Sequence, residues 1–286
     1  MRALVTGAGG QLATAWTRAA KSSWTVLGRT RAELDIGDLA AVRRAVKAAR
    51  PDLILNAAAF TAVDRAQSQA DDAWRTNRDG PRNLAMAAAE AGARLVHIST
   101  DFVFDGRSGR PYAPGDPTAP LGVYGASKLG GEEAVRSILA DALMVRTAWL
   151  YSAQGPNFLT TILGALSAGR DVRVVADQIG TPTSAPTLAA GLWDLIAVGA
   201  EGLHHYTDAG AASWYDFAQA IGEEAGAAGL APADARVTPI SSADYPTAAP
   251  RPPFSVLDKT ATWALLGAAA PHWRVALRRV LATMAG

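Results

Sequence analysis

The amino-acid sequence predicts an α/β protein built on a doubly wound parallel sheet. Short apolar runs alternate with segments of helical periodicity through the first half, a pattern typical of parallel strands joined by crossover helices. Right-handed crossovers then place helices on both faces of the sheet. The predicted strands are Ala3–Val5, Trp24–Leu27, Leu53–Leu55, Leu95–Ile98 and Leu143–Val145, and the predicted helices are Gln11–Ala20, Asp38–Arg50, Ala70–Ala91 and Tyr124–Leu139.

The pattern changes after about Tyr151, where strand and helix no longer alternate regularly. We therefore expect a dinucleotide-binding domain over 1–150 and a smaller, mainly substrate-binding lobe over 151–286, with segments that return to the first domain. The elements predicted here are helices over Phe158–Ala168, Pro186–Val198 and Trp214–Ala225, a strand over Val172–Val175, a turn-rich segment over Asp177–Thr183 and a proline-rich loop over Tyr245–Pro253.

Composition excludes several classes of protein. The chain has 286 residues, a formal net charge of +1 and no cysteine, so nothing favours nucleic-acid binding, a disulfide or a thiolate site. Its four histidines lack the spacing of metal ligands, and the adjacent His204 and His205 are expected in a strand. No apolar stretch reaches the roughly 20 residues of a membrane helix, and the N-terminus does not resemble a signal peptide. We expect a cytoplasmic protein with no metal site and no membrane partner.

A glycine-rich turn follows the first predicted strand in the run Thr6-Gly-Ala-Gly-Gly-Gln-Leu-Ala13. Gly7 permits a tight turn, Gly10 lets the backbone approach a pyrophosphate, and Ala13 is small enough for close packing of helix on sheet. The helix that opens here offers free amides and a favourable dipole to an anion. Glycine pairs are often only structural, but this strand-turn-helix order favours dinucleotide binding in a Rossmann sheet.

The end of the second strand commonly selects between NADH and NADPH. It reads Leu27-Gly-Arg29, with Arg31 close by and no acid at that point. An arginine there accommodates a 2′-phosphate, so NADPH is preferred and NADH stays possible. A solvated loop arginine is an equally good interpretation of Arg29. Asp35 and Ile36 follow and could cap the adenine, although Asp35 could equally start a helix.

Tyr124 and Lys128 are the residues that most directly suggest catalysis. Positions i and i+4 of a helix share one face, so a phenol and an ammonium would project side by side. A tyrosine has an ordinary pKa of about 10, and we expect the neighbouring cation to bring that pKa toward neutrality. Because a tyrosine and a lysine at this spacing often occur by chance, the catalytic interpretation depends on the motifs around them.

Two strand ends complete that context. Asn56-Ala-Ala-Ala59 follows the third strand, where small residues let the backbone lie against a cofactor, and Ser99-Thr-Asp101 ends the strand upstream of Tyr124. A hydroxyl at that point could hydrogen-bond a substrate carbonyl, although such residues are more often turn formers. Arg146, within an apolar strand, is expected in a structural ion pair.

Several longer blocks resemble the dTDP-4-dehydrorhamnose reductase family of extended short-chain dehydrogenases/reductases. The resemblance covers nearly the full chain and is carried by blocks at Gly7–Leu12, Asn56–Asp64, Ser99–Gly106, Tyr124–Glu132, Arg146–Tyr151, Asp177–Thr183 and Arg251–Asp258.

The resemblance implies NADPH-dependent reduction of the 4-keto group of a dTDP-linked 6-deoxyhexose. It implies that Tyr124 donates the proton, that Lys128 binds the nicotinamide ribose and depresses the tyrosine pKa, and that Thr100 orients the carbonyl. The cofactor would be lined by Gly10, Gln11, Leu12, Asp35, Ile36, Ala57, Ala58 and Ala59, and the sugar would be touched by Thr100, Asp101 and Trp149. Weaker substrate candidates are Asn157, Gln178 and Arg251.

Two alternatives remain at this point. One is a ketoreductase for a different nucleotide deoxysugar, and departures such as Ala13, Gln67 and the run Arg251-Pro-Pro-Phe254 bear on that sugar specificity. The other is a non-catalytic NADP-binding regulatory subunit, which would not need Thr100, Tyr124 and Lys128 together. Some relatives bind magnesium through surface glutamates at a dimer contact, but no acidic cluster lies near Ala15. We expect a monomer or a homodimer.

Overall fold

The computed structural model describes residues 1–232 and 236–285. The strands are β1 (Arg2–Thr6), β2 (Thr25–Arg29), β3 (Leu53–Asn56), β4 (Arg94–Thr100), β5 (Leu143–Thr147), β6 (Leu150–Tyr151), β7 (Val172–Val175), β8 (Ile179–Gly180), β9 (Thr183–Ser184), β10 (Gly202–His205), β11 (Ala212–Ser213) and β12 (Val237–Ile240). The α-helices are α1 (Gln11–Arg18), α2 (Leu39–Ala49), α3 (Val63–Ser68), α4 (Ala70–Trp74), α5 (Gly80–Ala91), α6 (Val123–Ile138), α7 (Phe158–Ser167), α8 (Ala185–Ala197), α9 (Trp214–Ala227), α10 (Thr260–Leu266) and α11 (Trp273–Ala285).

The central sheet has the strand order β10-β5-β4-β3-β1-β2, and every pair in it is parallel. The chain runs outward from β1 to β2 and then crosses back to β3 on the other side of β1. This reversal leaves a crevice at the carboxyl ends of β1 and β3, the place where doubly wound sheets bind ligands. The predicted fold class is confirmed.

Helices cover both faces of the sheet, so its strands are buried on both sides. On one face Leu12 of α1 and Leu188 of α8 pack against Val5, and Trp16 stacks on Trp193 with ring centroids 4.0 Å apart. On the other face α2, α5 and α6 cover Leu4 and Ile54. Burial on two faces explains why these strands read as unbroken apolar runs.

Local signals set the helix ends where the sequence placed them. The Asp38 carboxylate accepts from the Ala41 amide at the start of α2, and Arg50 ends that helix with a φ of 45° just before Pro51. The predicted helix over Ala70–Ala91 is one helical path in three parts, because a π-helical turn at Arg75–Asp79 joins α4 to α5.

The second half builds its own core and also returns to the first sheet. Tyr151, Leu159 and Phe217 are fully buried in a cluster supplied by α7, α9 and α11. β10 pairs with β5 at the edge of the central sheet, where His205 is buried and His204 is only partly so, as adjacent strand residues require.

Several elements were not indicated by the sequence pattern. They are α3, α10, α11, β12 and the two-residue strands β6, β8, β9 and β11, which are too short or too mixed in composition for a periodic signal. Within the described residues, no helix is long and apolar enough to cross a membrane.

Candidate active site

A cleft of about 1950 Å³ opens at the carboxyl ends of the central strands. Residues from both halves of the chain line it, and we call the lining residues up to Ala148 the first wall and those from Trp149 onward the second wall. Of the residues predicted for the site, the cleft is lined by Gly7, Gly10, Gln11, Leu12, Asp35, Ile36, Ala57, Ala58, Ala59, Thr100, Asp101, Tyr124, Lys128, Trp149, Gln178 and Arg251. Arg29 and Asn157 are not among the lining residues.

The glycine turn forms a cradle with no side chains at the start of α1. Gly7 has a φ of +72° and Gly9 a φ of +89°, both in the left-handed region. A Cβ at Gly7 would lie 2.8 Å from the Cα of Ala58, so this position also requires glycine for space. Gly10 caps α1, and the first turn of that helix carries no acid. Free amides and a positive dipole end therefore face the cleft, and this cradle fits a dinucleotide pyrophosphate.

The basic residue that faces the cleft after β2 is Arg31 rather than Arg29. The Arg29 guanidinium donates to the carbonyl of its neighbour Gly28 at 2.9 Å and is not among the lining residues. Arg31 lines the cleft. The role of Arg29 toward a 2′-phosphate stays a prediction, and Arg31 is a further candidate for it.

Asp35 lies in the same region but its charge is already paired. Arg75 contacts the Asp35 carboxylate at 2.5 Å, and the Gly37 amide donates to it at 2.9 Å. Burial opposes ionisation of Asp35, but the Arg75 and Gly37 hydrogen bonds are together stronger and lower its pKa. The pairing reduces the repulsion that a carboxylate would exert on a phosphate nearby.

A buried chain of hydrogen bonds fixes the strand ends beneath the cleft. The Thr6 hydroxyl donates to the Asn56 side chain at 2.8 Å, and the Asn56 amide lies 3.0 Å from Nδ1 of His97. The three residues belong to neighbouring strands β1, β3 and β4, and all are buried. Burial lowers the pKa of His97 well below its usual range, so the imidazole stays neutral. The Ala57–Ala59 backbone is held in register by this chain.

Helix α6 presents Tyr124 and Lys128 together at the cleft. Close approach makes this possible, since a Cβ at Gly125 would overlap the carbonyl oxygen of Phe102. The Lys128 ammonium donates to the carbonyl of Ile98 at 2.6 Å, and the Tyr124 ring packs edge-on against Phe102 with centroids 5.5 Å apart.

Burial dominates the titration of both groups. It raises the pKa of Tyr124 to about 12, although a hydrogen bond from Thr100 acts in the opposite direction. It lowers the pKa of Lys128 to about 8, against the attraction of Glu132. The expectation that the lysine would bring the phenol pKa toward neutrality is therefore wrong for the protein by itself, because desolvation of the phenolate dominates and the nearby Asp101 charge also raises this pKa.

Thr100 and Asp101 lie beside the phenol at the end of β4. The Thr100 hydroxyl contacts the Asp101 carboxyl at 3.1 Å, and Oδ2 of Asp101 is buried without a hydrogen-bond partner. Burial raises the pKa of Asp101 to about 6. An unpartnered buried oxygen in a cleft is a natural contact for a polar ligand.

Aromatic side chains also line the cleft, in the part of the lining that begins at Trp149. Trp149 adopts a φ of 47°, rare for a bulky residue, and stacks on Trp214 with centroids 3.5 Å apart and planes 4° apart. Gly180 lies under the Trp149 ring, where a Cβ would overlap it. Phe158 packs against Trp214 at 4.6 Å. The neighbours thus hold Trp149 in a strained conformation at the cleft.

The weaker substrate candidates divide into two kinds. Gln178 lines the cleft and donates to Ser242 at 2.9 Å, and Arg251 lines it while forming two bonds to Asp64 at 2.7 and 2.8 Å. Asn157 instead caps α7, accepting from the Thr160 amide and donating to the Ser152 carbonyl. The structure gives Asn157 a local structural role, and its contact with the substrate stays a prediction.

The sequence pattern did not indicate several lining residues. Trp214, Phe158, Arg173 and Tyr245 come from four separate elements and meet at the cleft only in the folded chain. The stack of Trp149 on Trp214 produces no periodic pattern in the sequence that could have predicted it. In the residues that the structure describes, no group of three or more His, Asp or Glu is placed to hold a metal ion.

The model of the family described as RmlD substrate binding domain matches residues 1–285. The dTDP-4-dehydrorhamnose reductase of Mycobacterium tuberculosis is 42% identical over 99% of this chain and 93% of its own length. The chain belongs to the dTDP-4-dehydrorhamnose reductase family. The enzyme of that name from Burkholderia thailandensis is 40% identical over 97% of each chain.

Solved structures of this family have the same fold. The dTDP-4-dehydrorhamnose reductase of Clostridium acetobutylicum superimposes with a TM-score of 0.93 at 36% identity, covering 99% of both chains. The Bacillus anthracis enzyme, solved in complex with NADP, has a TM-score of 0.93 at 34% identity and the same coverage. The family predicted from the sequence is confirmed.

Proposed function

We propose that this protein is an NADPH-dependent reductase of the 4-keto group of a dTDP-linked 4-keto-6-deoxyhexose. The names of its relatives support the substrate class, and the NADP complex of the Bacillus anthracis relative supports the cofactor. One observation on this chain carries the proposal: Thr100, Tyr124 and Lys128 lie in the same cleft as the glycine cradle. A regulatory subunit would not need that convergence.

Tyr124 is the proton donor. Its raised pKa keeps the phenol protonated near neutral pH, so it can donate to the oxygen of the ketone as negative charge develops there. Thr100 donates a second hydrogen bond to the same oxygen, and the two donors together favour the transition state over the ground state.

Lys128 stabilises the phenolate that remains after the proton has left. Its ammonium is anchored at the carbonyl of Ile98 and shares the helix face of Tyr124. A positive charge at this place is worth most when the phenol is anionic, which is the state formed during the reaction. NADPH, when bound, supplies the hydride that reduces C4 of the sugar.

The nucleotide sugar binds mainly along the second wall, next to Asp101. We propose that Trp149 packs on the sugar, that Asp101 accepts from a sugar hydroxyl, and that Gln178 and Arg251 contact the polar part of the nucleotide. Arg251 is held by Asp64, and a pre-oriented guanidinium suits a diphosphate. We also propose that 1–150 binds the dinucleotide and that 151–286 mainly binds the substrate, with Asp101 and Trp149 of the first domain contributing to the sugar site, and we expect a monomer or a homodimer.

The test is loss of NADPH absorbance with dTDP-4-dehydrorhamnose, compared with a small panel of other 4-keto-6-deoxy nucleotide sugars. The proposal expects turnover with the dTDP sugar, and the proton couplings of the product define the configuration at C4. NADPH binding without turnover on any member of the panel would instead support the regulatory alternative.

A further inference from the structure

Glu132 continues the row that Tyr124 and Lys128 form on α6. It stands four residues beyond Lys128 and eight beyond Tyr124, so the three side chains lie along one face of the helix. Glu132 is buried, with 4% of its surface exposed. A buried carboxylate needs partners, because desolvation of an isolated charge is costly.

The partners of Glu132 lie on β4, which ends at Thr100, and on the neighbouring strand β5. The Arg146 guanidinium makes a two-pronged contact at 2.8 Å from Nε and 2.7 Å from Nη2, and Ser99 donates to Oε1. Ser99 lies between Ile98, which anchors Lys128, and Thr100. Ser99 and Arg146 are also register partners across β4 and β5. One carboxylate therefore joins α6 to both strand ends of the site.

The charges around Lys128 depend on this carboxylate. Lys128 and Arg146 are both buried cations, and the attraction of Glu132 raises the Lys128 pKa against the effect of burial. A buried ammonium without a nearby anion tends to lose its proton. The other charged or titratable groups on the elements packed around this row are His97 on β4, Asp101 after β4, His205 on β10, and Arg78, which is exposed and paired with Asp79.

We infer that Glu132 is a positioning residue of the reaction, which keeps the Lys128 ammonium charged and directed at the Tyr124 phenol, rather than only a partner for Arg146. The inference rests on the role proposed above for Lys128. If Glu132 and Arg146 formed only a structural ion pair, removing either one should have the same effect on Lys128. The inference predicts different effects. Removing the anion and removing its cationic partner should shift the Lys128 titration in opposite directions.

Glu132→Gln takes the anion away from Lys128 and leaves Arg146 nearby without its counter-charge. The Lys128 pKa should fall by at least about one unit, the low end of the effect of an opposite charge at short range. Arg146→Gln frees the carboxylate to interact with Lys128 alone, and the Lys128 pKa should rise. Glu132→Asp keeps the charge and should restore most of the original value.

The titration can be measured without any assay of activity. The chain has four lysines, Lys21, Lys47, Lys128 and Lys259, so the signals of [¹³Cε]-lysine-labelled protein are few enough to assign with a Lys128→Arg variant. Lys21 and Lys47 are exposed and serve as internal controls. Glu90→Gln, which breaks the exposed pair with Arg43, is the matched control and should leave the Lys128 signal unmoved.

Opposite shifts in the two variants support the inference, and the alkaline limb of kcat/KM should move in parallel with the NMR titration. A Lys128 pKa that changes by less than about 0.3 unit in both variants overturns the inference. If Glu132→Gln does not fold, Arg146→Gln decides by the same criterion, since only an upward shift supports it.

Failure of the proposed reduction is distinguishable from failure of this inference. If the wild-type protein turns over no keto sugar, the NMR titration still reports whether Glu132 controls the charge of Lys128. If the NMR shifts appear but the kinetic limb does not move, Lys128 does not act through its charge, and the catalytic role inferred for Glu132 is overturned.

Discussion

The two walls of the cleft differ in the residues that form them. Around the glycine turn the first wall presents backbone and small residues, since Gly7, Gly9 and Ala57–Ala59 leave amides and space. The second wall presents the large side chains of Trp149, Trp214 and Arg251. Backbone amides recognise a group that is the same in every dinucleotide, whereas side chains recognise the group by which substrates differ.

This difference decides how each wall is held in place. The first wall is fixed locally, by a turn whose conformation only glycine adopts readily and by the buried Thr6–Asn56–His97 hydrogen bonds. The second wall is fixed by contacts between segments that are distant in the sequence, such as the stack of Trp149 on Trp214. Substitutions on the first wall should therefore affect folding and cofactor together, and those on the second should affect the sugar nucleotide alone.

The largest effect is expected at Gly7. Gly7→Ala adds left-handed strain, about 1–2 kcal/mol, and overlap with the Ala58 backbone, about 1–3 kcal/mol. We expect the free energy of unfolding, measured in urea, to fall by roughly 3 kcal/mol, with weaker NADPH binding. The matched control is Gly92→Ala, which has a similar φ of 64° and no neighbour within 4 Å. Equal losses for the two variants would show that the cradle is not tightly packed.

Arg31→Ala tests which arginine recognises the 2′-phosphate. Losing a hydrogen bond to a charged group costs about 1.5–3 kcal/mol when buried, and less at an exposed site, so the KM for NADPH should rise about tenfold while the KM for NADH stays constant. Arg29→Ala is the control, and both KM values should remain within about twofold because its guanidinium is bound to Gly28. A larger effect of Arg29→Ala would reverse the assignment.

A smaller effect is expected at Trp214, on the other wall. Without the stack, Trp149 can relax from its strained φ, and an aromatic pair is worth about 0.5–1.5 kcal/mol. Trp214→Ala should raise the KM for the nucleotide sugar about fivefold and leave the KM for NADPH unchanged. Trp24→Ala removes an aromatic partner of Trp193 outside the cleft and serves as the control. A change in the NADPH KM alone would contradict the division of the two walls.

The sequence predicted the first wall far better than the second wall, because short-range patterns mark the first and contacts between distant residues form the second. The glycine turn, Ala57–Ala59 and the Tyr124–Lys128 pair are short-range patterns, and a regular sheet brings the ends of parallel strands to one edge. The stack of Trp149 on Trp214 joins residues 65 positions apart through irregular loops, so no pattern marks it.

Two predicted site residues have partners near to them in the chain that the sequence pattern does not show. Arg29 is hydrogen-bonded to Gly28, and Asn157 caps α7. The phenol pKa was misjudged for a related reason: spacing along a helix predicts which groups are neighbours but gives no measure of how deeply they are buried.

Tyr124 lines the cleft and is the proposed proton donor, so the most direct test of the account is the turnover of Tyr124→Phe with NADPH and dTDP-4-dehydrorhamnose. Because the variant keeps the ring and loses only the donor, kcat should fall at least about a hundredfold, the usual scale of general acid catalysis, while the Kd for NADPH stays within about threefold. Turnover close to that of the wild-type protein would contradict the account, since the proton would then come from another group.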